Sequence, residues 1–248
     1  MTTGKAGTGL TILGQGSSDD FLTAPAEISS GEFLAAVLDD QREEVAKMII
    51  HDERLVRSRD ASGATAVQLA VYHGLDEMLG VLLRSEVELD VWESAAVGSA
   101  DGAATWLDET PALLEEPSED GFTVLGLAAH FGRAEVVALL LDRGADPRAP
   151  STNAMGVTPL HAACAHRDAA VARQLAERLL DAGADVEAEQ AGGFRPLHQA
   201  AARGDAELTR LLLDRGADPG AQSDLGETPG DLAASRGHDG VAALLTAQ

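Results

Sequence analysis

Aromatic side chains are scarce in this chain. Its 248 residues include five Phe, two Trp and one Tyr. Alanine and leucine carry the apolar content instead, which suits short α-helices packed closely on one another. Cysteine is nearly missing as well: Cys164 stands alone, so no internal disulfide can form. Basic residues are few, with 18 Lys and Arg against 41 Asp and Glu and a formal charge of −23. That balance argues against nucleic acid, because phosphate neutralisation needs clustered cations, and against anionic membrane surfaces. An acidic surface also keeps a protein soluble, and a basic partner is the sharper reading of the same charge. No apolar run is long enough to span a membrane. The stretch Leu10–Leu13 is too short for the core of a secretory signal, so a cytoplasmic protein is expected. CxxC and HExxH patterns are missing, no nucleophile elbow is visible, and Gly4-Lys5 lacks the spacing of a phosphate-binding loop. No cofactor is expected.

What the chain does have is a motif that returns. GVTPLHAACAHRD begins at Gly156, GFRPLHQAAARGD at Gly193 and GETPGDLAASRGH at Gly226, with fainter copies at Gly121 and Gly63. About twenty residues beyond the copies at Gly121, Gly156 and Gly193 comes LLDRGAD or LLDAGAD, which sets a period of roughly 33 residues.

Each part of the unit has a physical reason. In the copy at Gly156, Thr158 is a helix N-cap whose hydroxyl can accept from a free first-turn amide. Pro159 suits the first helical position, where its missing N–H costs nothing. Leu160, Ala163 and Cys164 form a narrow apolar face at helical spacing. A second helix is expected over 170–180, closed by Gly183 in a left-handed conformation. One such pair cannot bury both of its faces alone, so units must stack.

With T-P-L-H-x-A repeated in register, the chain resembles the ankyrin-repeat family from about residue 31 to its C-terminus. It is most similar to compact bacterial ankyrin-repeat proteins with a short, irregular second repeat. The matching segments are Phe33 to Val37, Leu89 to Gly98, Asp120 to Gly132 and Asn153 to Ala163. The resemblance implies an all-α solenoid of about six to seven helix-turn-helix units with short finger turns and capping end repeats. Residues 1–30, rich in Gly, Ser and Thr, are expected to form a mobile arm or irregular extension, and 31–248 the repeat domain.

Departures from the pattern carry expectations of their own. Aligning the capping Thr gives Thr65, Leu89, Thr123, Thr158, Arg195 and Thr228. The short interval from Thr65 to Leu89 implies a missing finger. The long interval from Thr158 to Arg195 implies about one extra turn in the second helix. Arg195 cannot cap as Thr does, so that helix start is expected to be weaker. In this alignment Trp92 takes the motif-histidine position. Trp92 and Trp106 are expected to fill the core where the finger is lost, and Glu93, Asp101 and Asp108 to form a solvated face.

Ankyrin arrays generally bind protein partners through their fingertips and the concave face of their first helices. By that resemblance the candidate partner- or ligand-binding residues are Tyr72, His73, Phe122, His130, Phe131, Met155, His166, Phe194, Arg203 and Arg236. Phe122, Val157 and Phe194 could equally pack finger against finger. Phe131 and Tyr72 occupy a position that normally faces solvent. His161 and His198 are the motif histidines, read as structural ties between a helix start and its neighbouring turn. Repeats stacked about 10 Å apart do not bring His73, His130 and His166 within zinc-ligating distance, so no metal is expected. The leading expectation is a non-enzymatic module that holds a protein or peptide, with the C-terminal arginines meeting acidic groups on it. The alternative is a small-molecule or catalytic pocket in the central groove. There His130 or His166 would serve as acid or base, and Arg203 would position an anion.

Overall fold

The computed structural model describes residues 28–85 and 88–246. Within them the chain forms seven helix pairs. These are α1 (Ser30–Leu38) with α2 (Arg42–His51), α3 (Ala66–Tyr72) with α4 (Asp76–Leu82), and α5 (Val91–Val97) with α6 (Ala100–Glu109). Then come α7 (Val124–His130) with α8 (Ala134–Asp142), α9 (Pro159–Ala165) with α10 (Ala169–Asp181), α11 (Pro196–Arg203) with α12 (Ala206–Asp214), and α13 (Pro229–Ser235) with α14 (Asp239–Thr246). The first helix of each pair packs on the first helix of the next, which makes one continuous row. The second helices make another row, continuous from α6 to α14.

The repeat chemistry accounts for the helix boundaries. Thr65, Thr123, Thr158 and Thr228 each cap a first helix with the side-chain hydroxyl. Leu160, Ala163 and Cys164 are buried without remainder between neighbouring units. α10 has 13 residues where α8 and α12 have 9, which is the extra turn the spacing predicts. Fingers are joined by backbone bonds: Thr152 N–H donates to Gly121 C=O at 2.8 Å, Ala191 N–H to Met155 C=O at 2.8 Å and Asp224 N–H to Gly192 C=O at 2.9 Å. At two of these joints only glycine fits. Gly121 and Gly193 have φ of +85° and +71°, and a Cβ on either would lie 2.8 Å from the backbone nitrogen of Asn153 or Asp224.

The array is not uniform. Residues 83–90 join α4 to α5, whereas residues 143–158 join α8 to α9. Where that finger is missing, α4 and α6 do not pack closely. The apolar core divides at the same place. One cluster gathers α1 to α4 together with Ala96, and the other runs from α5 to α14. Leu89, Val97 and Phe131 are half-buried against the first cluster and help to close the seam.

Several details differ from the sequence reading. The N-cap of α5 is Asp90, not Leu89; its carboxylate accepts from Glu93 N–H at 2.7 Å. Glu93, not Trp92, therefore stands at the motif-histidine position, and it is 5% exposed rather than part of a solvated face. Thr65 Oγ1–H donates to Glu93 Oε1, and Asp90 N–H donates to Glu93 Oε2 at 2.9 Å. A motif histidine reaches forward to the next finger. The finger missing here is the one ahead of α5, and across that gap the carboxylate reaches back to the preceding cap. Burial pushes the Glu93 carboxyl above the usual range, and the neighbouring Asp90 charge adds to the rise.

Trp92 and Trp106 are half-buried against the larger core cluster. Trp106 Nε1–H donates to Leu89 C=O at 2.7 Å and Trp92 Nε1–H to Glu116 C=O at 3.3 Å. At the start of α11, Arg195 gives no side-chain cap. Its guanidinium instead spans Glu187 at 2.6 Å and Glu189 at 2.9 Å, which anchors the helix start to the preceding finger. The expected extension over 1–30 lies outside the described residues up to 27, while Ser29 already caps α1.

Candidate functional site

The candidate residues Tyr72, His73, His130, Phe131, His166, Arg203 and Arg236 share one structural position: each ends or C-caps a first helix. They therefore line the edge of the first-helix row. The structure gathers some of them and separates others.

Tyr72 and Phe131 come together although a whole repeat lies between them. Their ring centroids are 5.4 Å apart, tilted by 50°. The intervening repeat carries Ala96 and Val97 at the equivalent position, and these are too small to hold the rings apart. His130 stacks edge-on to Phe131 with centroids 4.8 Å apart. Tyr72 is 38% exposed, His130 is exposed and Phe131 is half-buried, so Phe131 does not stand fully in solvent as its position suggests. The next finger completes the group. Tyr72 O–H donates to Asp120 Oδ2 at 2.5 Å, and the Ser118 hydroxyl donates to Asp120 Oδ1. Burial, then the bond to Asp120, raises the Tyr72 phenol well above its usual range, so it stays a neutral donor. Desolvation, and secondly the His166 charge, hold His130 below the ordinary imidazole value. His73 is exposed beside this group. His166 is half-buried over Gly132, with Nδ1 accepting from Asp168 N–H at 3.2 Å.

A second patch lies toward the C-terminus. Met155, Phe194, His198, Leu232 and Arg236 line a groove of about 290 Å³. Met155 is 52% exposed. Phe194 sits edge-on to His198 at 5.6 Å and its ring covers Gly192, so it packs within its own finger as well as facing the groove. Phe122 is half-buried in the finger before α7, where its N–H donates to Ser118 Oγ at 3.0 Å. Val157 packs on the core.

The arginines are not arranged as the sequence reading has them. Arg203 donates through Nη1 to Ala165 C=O at 3.1 Å and through Nη2 to Arg167 C=O at 2.9 Å. Arg236 Nη1 donates to Ala202 C=O at 3.2 Å, and Arg133 Nε to Ala96 C=O at 2.8 Å. Each guanidinium meets the carbonyl end of a first helix in the preceding repeat, where orphan acceptors and the helix dipole favour a cation. Arg133, Arg203 and Arg236 thus staple neighbouring repeats together, while Arg195 is held within its own finger by Glu187 and Glu189.

The motif histidines are ties. His161 Nδ1 lies 2.8 Å from Thr158 Oγ1, and Nε2 lies 3.1 Å from Phe194 C=O in the next finger. His198 repeats this with Glu227 C=O at 3.2 Å. Burial pushes His161 down to about 4. Cys164 is fully buried and its thiol is pushed up to about 12, which leaves it an inert packing group. Among the described residues, no three His, Cys, Asp or Glu side chains converge as a metal-binding group, and no helix is long and apolar enough to cross a membrane.

Asp120, Arg133 and Glu93 are the residues that sequence reasoning underused. For Glu93 a signal was present: D-V-W-E at residues 90–93 has the spacing of a capping box.

This stack of capped helix pairs, glycine-closed turns and histidine-tied fingers defines an ankyrin array. The family description "Ankyrin repeats (3 copies)" matches residues 95–190, and "Ankyrin repeats (many copies)" matches residues 179–233. The chain belongs to the ankyrin-repeat family, whose repeats are protein-interaction modules. Among curated proteins it is similar to the human NAD-capped RNA hydrolase NUDT12, at 39% identity over 64 residues. That match covers 26% of this chain and 14% of that protein. It is also similar to the E3 ubiquitin-protein ligase XB3 of Oryza sativa subsp. japonica, at 38% identity over 84 residues, or 34% of this chain and 18% of the ligase. The chain thus spans less than a fifth of either relative.

Proposed function

We propose that this protein is a non-enzymatic binding module that holds a protein or peptide partner against the edge of its first-helix row. The anchor of that surface is the Tyr72–Phe131–His130 cluster. The observation that carries the reading is the meeting of two aromatic rings, from repeats that are not neighbours, at a partly exposed position in a chain with so few aromatics. Aromatic anchors of this kind often dominate the energy of protein interfaces. The groove beside Met155 and Phe194 extends the same surface toward the C-terminus, with His73, Phe122, His166, Arg203 and Arg236 along its length. The two arginines contribute chiefly by fixing the repeats that present it. Cytoplasmic residence fits this reading.

The test is a paired affinity capture with wild type and a His130→Ala/Phe131→Glu double variant as baits, after circular dichroism has shown that both are folded. A protein retained by wild type and lost by the variant is the expected result. Partners retained equally by both baits would put the binding surface elsewhere.

A further inference from the structure

The chemistry around the aromatic pair also bears on what kind of side chain it receives. Asp120 is exposed and takes one hydroxyl bond on each carboxylate oxygen, from Tyr72 and from Ser118. A carboxylate has about four acceptor sites, so both oxygens keep capacity for a further donor. The Tyr72 phenol, fixed by its bond to Asp120, holds its ring beside that charge. Among the described residues, the arginines along this edge are bonded elsewhere. Arg133 is bonded to Ala96 C=O, Arg203 to Ala165 and Arg167, and Arg236 to Ala202. Arg59, the basic group beside this finger, lies 3.7 Å from Glu119 and donates to Gly63 C=O at 2.7 Å. Among the described residues, no Lys or Arg forms an ion pair with Asp120, so the site joins two aromatic rings to an exposed carboxylate on a chain of net charge −23.

We infer that the Tyr72–Phe131–Asp120 group receives a lysine or arginine side chain of the partner, its cation against the aromatic faces and within hydrogen-bond reach of the Asp120 carboxylate. This rests on the binding surface proposed above and names the chemistry of its ligand. A cation within about 6 Å of an aromatic centroid is attracted by the ring quadrupole, and more strongly when it is partly desolvated. The paired carboxylate adds a charge-assisted bond and sets the sign of the partner. An acidic or neutral anchor would gain neither.

The experiment is a selection of random dodecapeptides on immobilised full-length protein, run in parallel on wild type, Phe131→Ala, Asp120→Asn and Asp120→Lys. Melting curves establish that each variant is folded. Wild type is expected to enrich peptides with Lys or Arg next to an apolar residue. By fluorescence anisotropy, replacing that one basic residue with Gln should weaken the selected peptide about 10-fold, with a similar loss on Asp120→Asn. Rising salt should weaken it further, and Asp120→Lys should no longer enrich basic peptides. Peptides that depend on Phe131 but carry no required basic residue would overturn the cationic ligand and leave the surface standing. Peptides indifferent to Phe131→Ala, or no enrichment at all, would overturn both.

Discussion

Replacing Leu160 with Ala should lower the stability of the protein by about 2–5 kcal/mol. Leu160 is 0% exposed and sits on α9, between α7 and α11, inside the core cluster that spans five repeats. The loss combines the transfer energy of the missing methyl groups with that of the cavity they leave, since close-packed helices refill it only in part. It is a large share of the whole, because domains of this size are stable by about 5–15 kcal/mol. In a repeat array each unit is stabilised mainly by its neighbours, so damage at one interface weakens both sides of it. Phe131→Ala should cost clearly less, because that ring is only half-buried at the edge of the smaller cluster. Urea unfolding followed by circular dichroism checks both. Equal losses would make Phe131 a core residue and remove it as a binding anchor.

Acid should destabilise the array through its motif histidines. His161 is 1% exposed and is held neutral, with its folded value at about 4 against an ordinary 6.5. Between those two pH values the unfolded chain binds a proton that the native state refuses. The stabilisation is therefore fully present above 6.5 and drains away as pH falls toward 4, amounting to about 3 kcal/mol for this one group. His198, also lowered by burial, acts in the same direction. Glu93 opposes them, because a carboxyl raised by burial lends stability at low pH that is lost as pH rises through its folded value. The clean readout is a comparison with His161→Gln. This variant should be less stable than wild type near neutrality and should lose less stability on acidification. Parallel pH profiles for the two proteins would show that His161 is not the titrating tie.

Much of the architecture is legible in the chain because each repeat advertises its own boundaries. Thr-Pro starts the first helix, glycine in left-handed geometry ends the turn, and the interval from Thr158 to Arg195 measures the extra turn of α10. The seam is harder to read. Asp90 and Glu93 make a capping box that looks nothing like T-P-L-H, so the register slips by one residue and Glu93 passes for a surface charge. The candidate site is legible as a set of equivalent positions but not as an arrangement. That Phe131 reaches Tyr72 depends on the small size of Ala96 in the repeat between them, and on a missing finger that lets Asp120 approach. The arginines mislead for a related reason. A cation on the inner edge of a repeat looks free in the sequence, because the carbonyl ends it bonds belong to the preceding repeat.

Partners are expected to dock on the first-helix row around Tyr72 and Phe131. Hydrogen exchange of the full chain, with and without a saturating captured partner, tests it most directly. Slowed exchange is expected at residues 72–73, 118–122 and 130–131, with the second-helix row unchanged. Slowing confined to α4, α8 and α12, with those three segments unaffected, would contradict it.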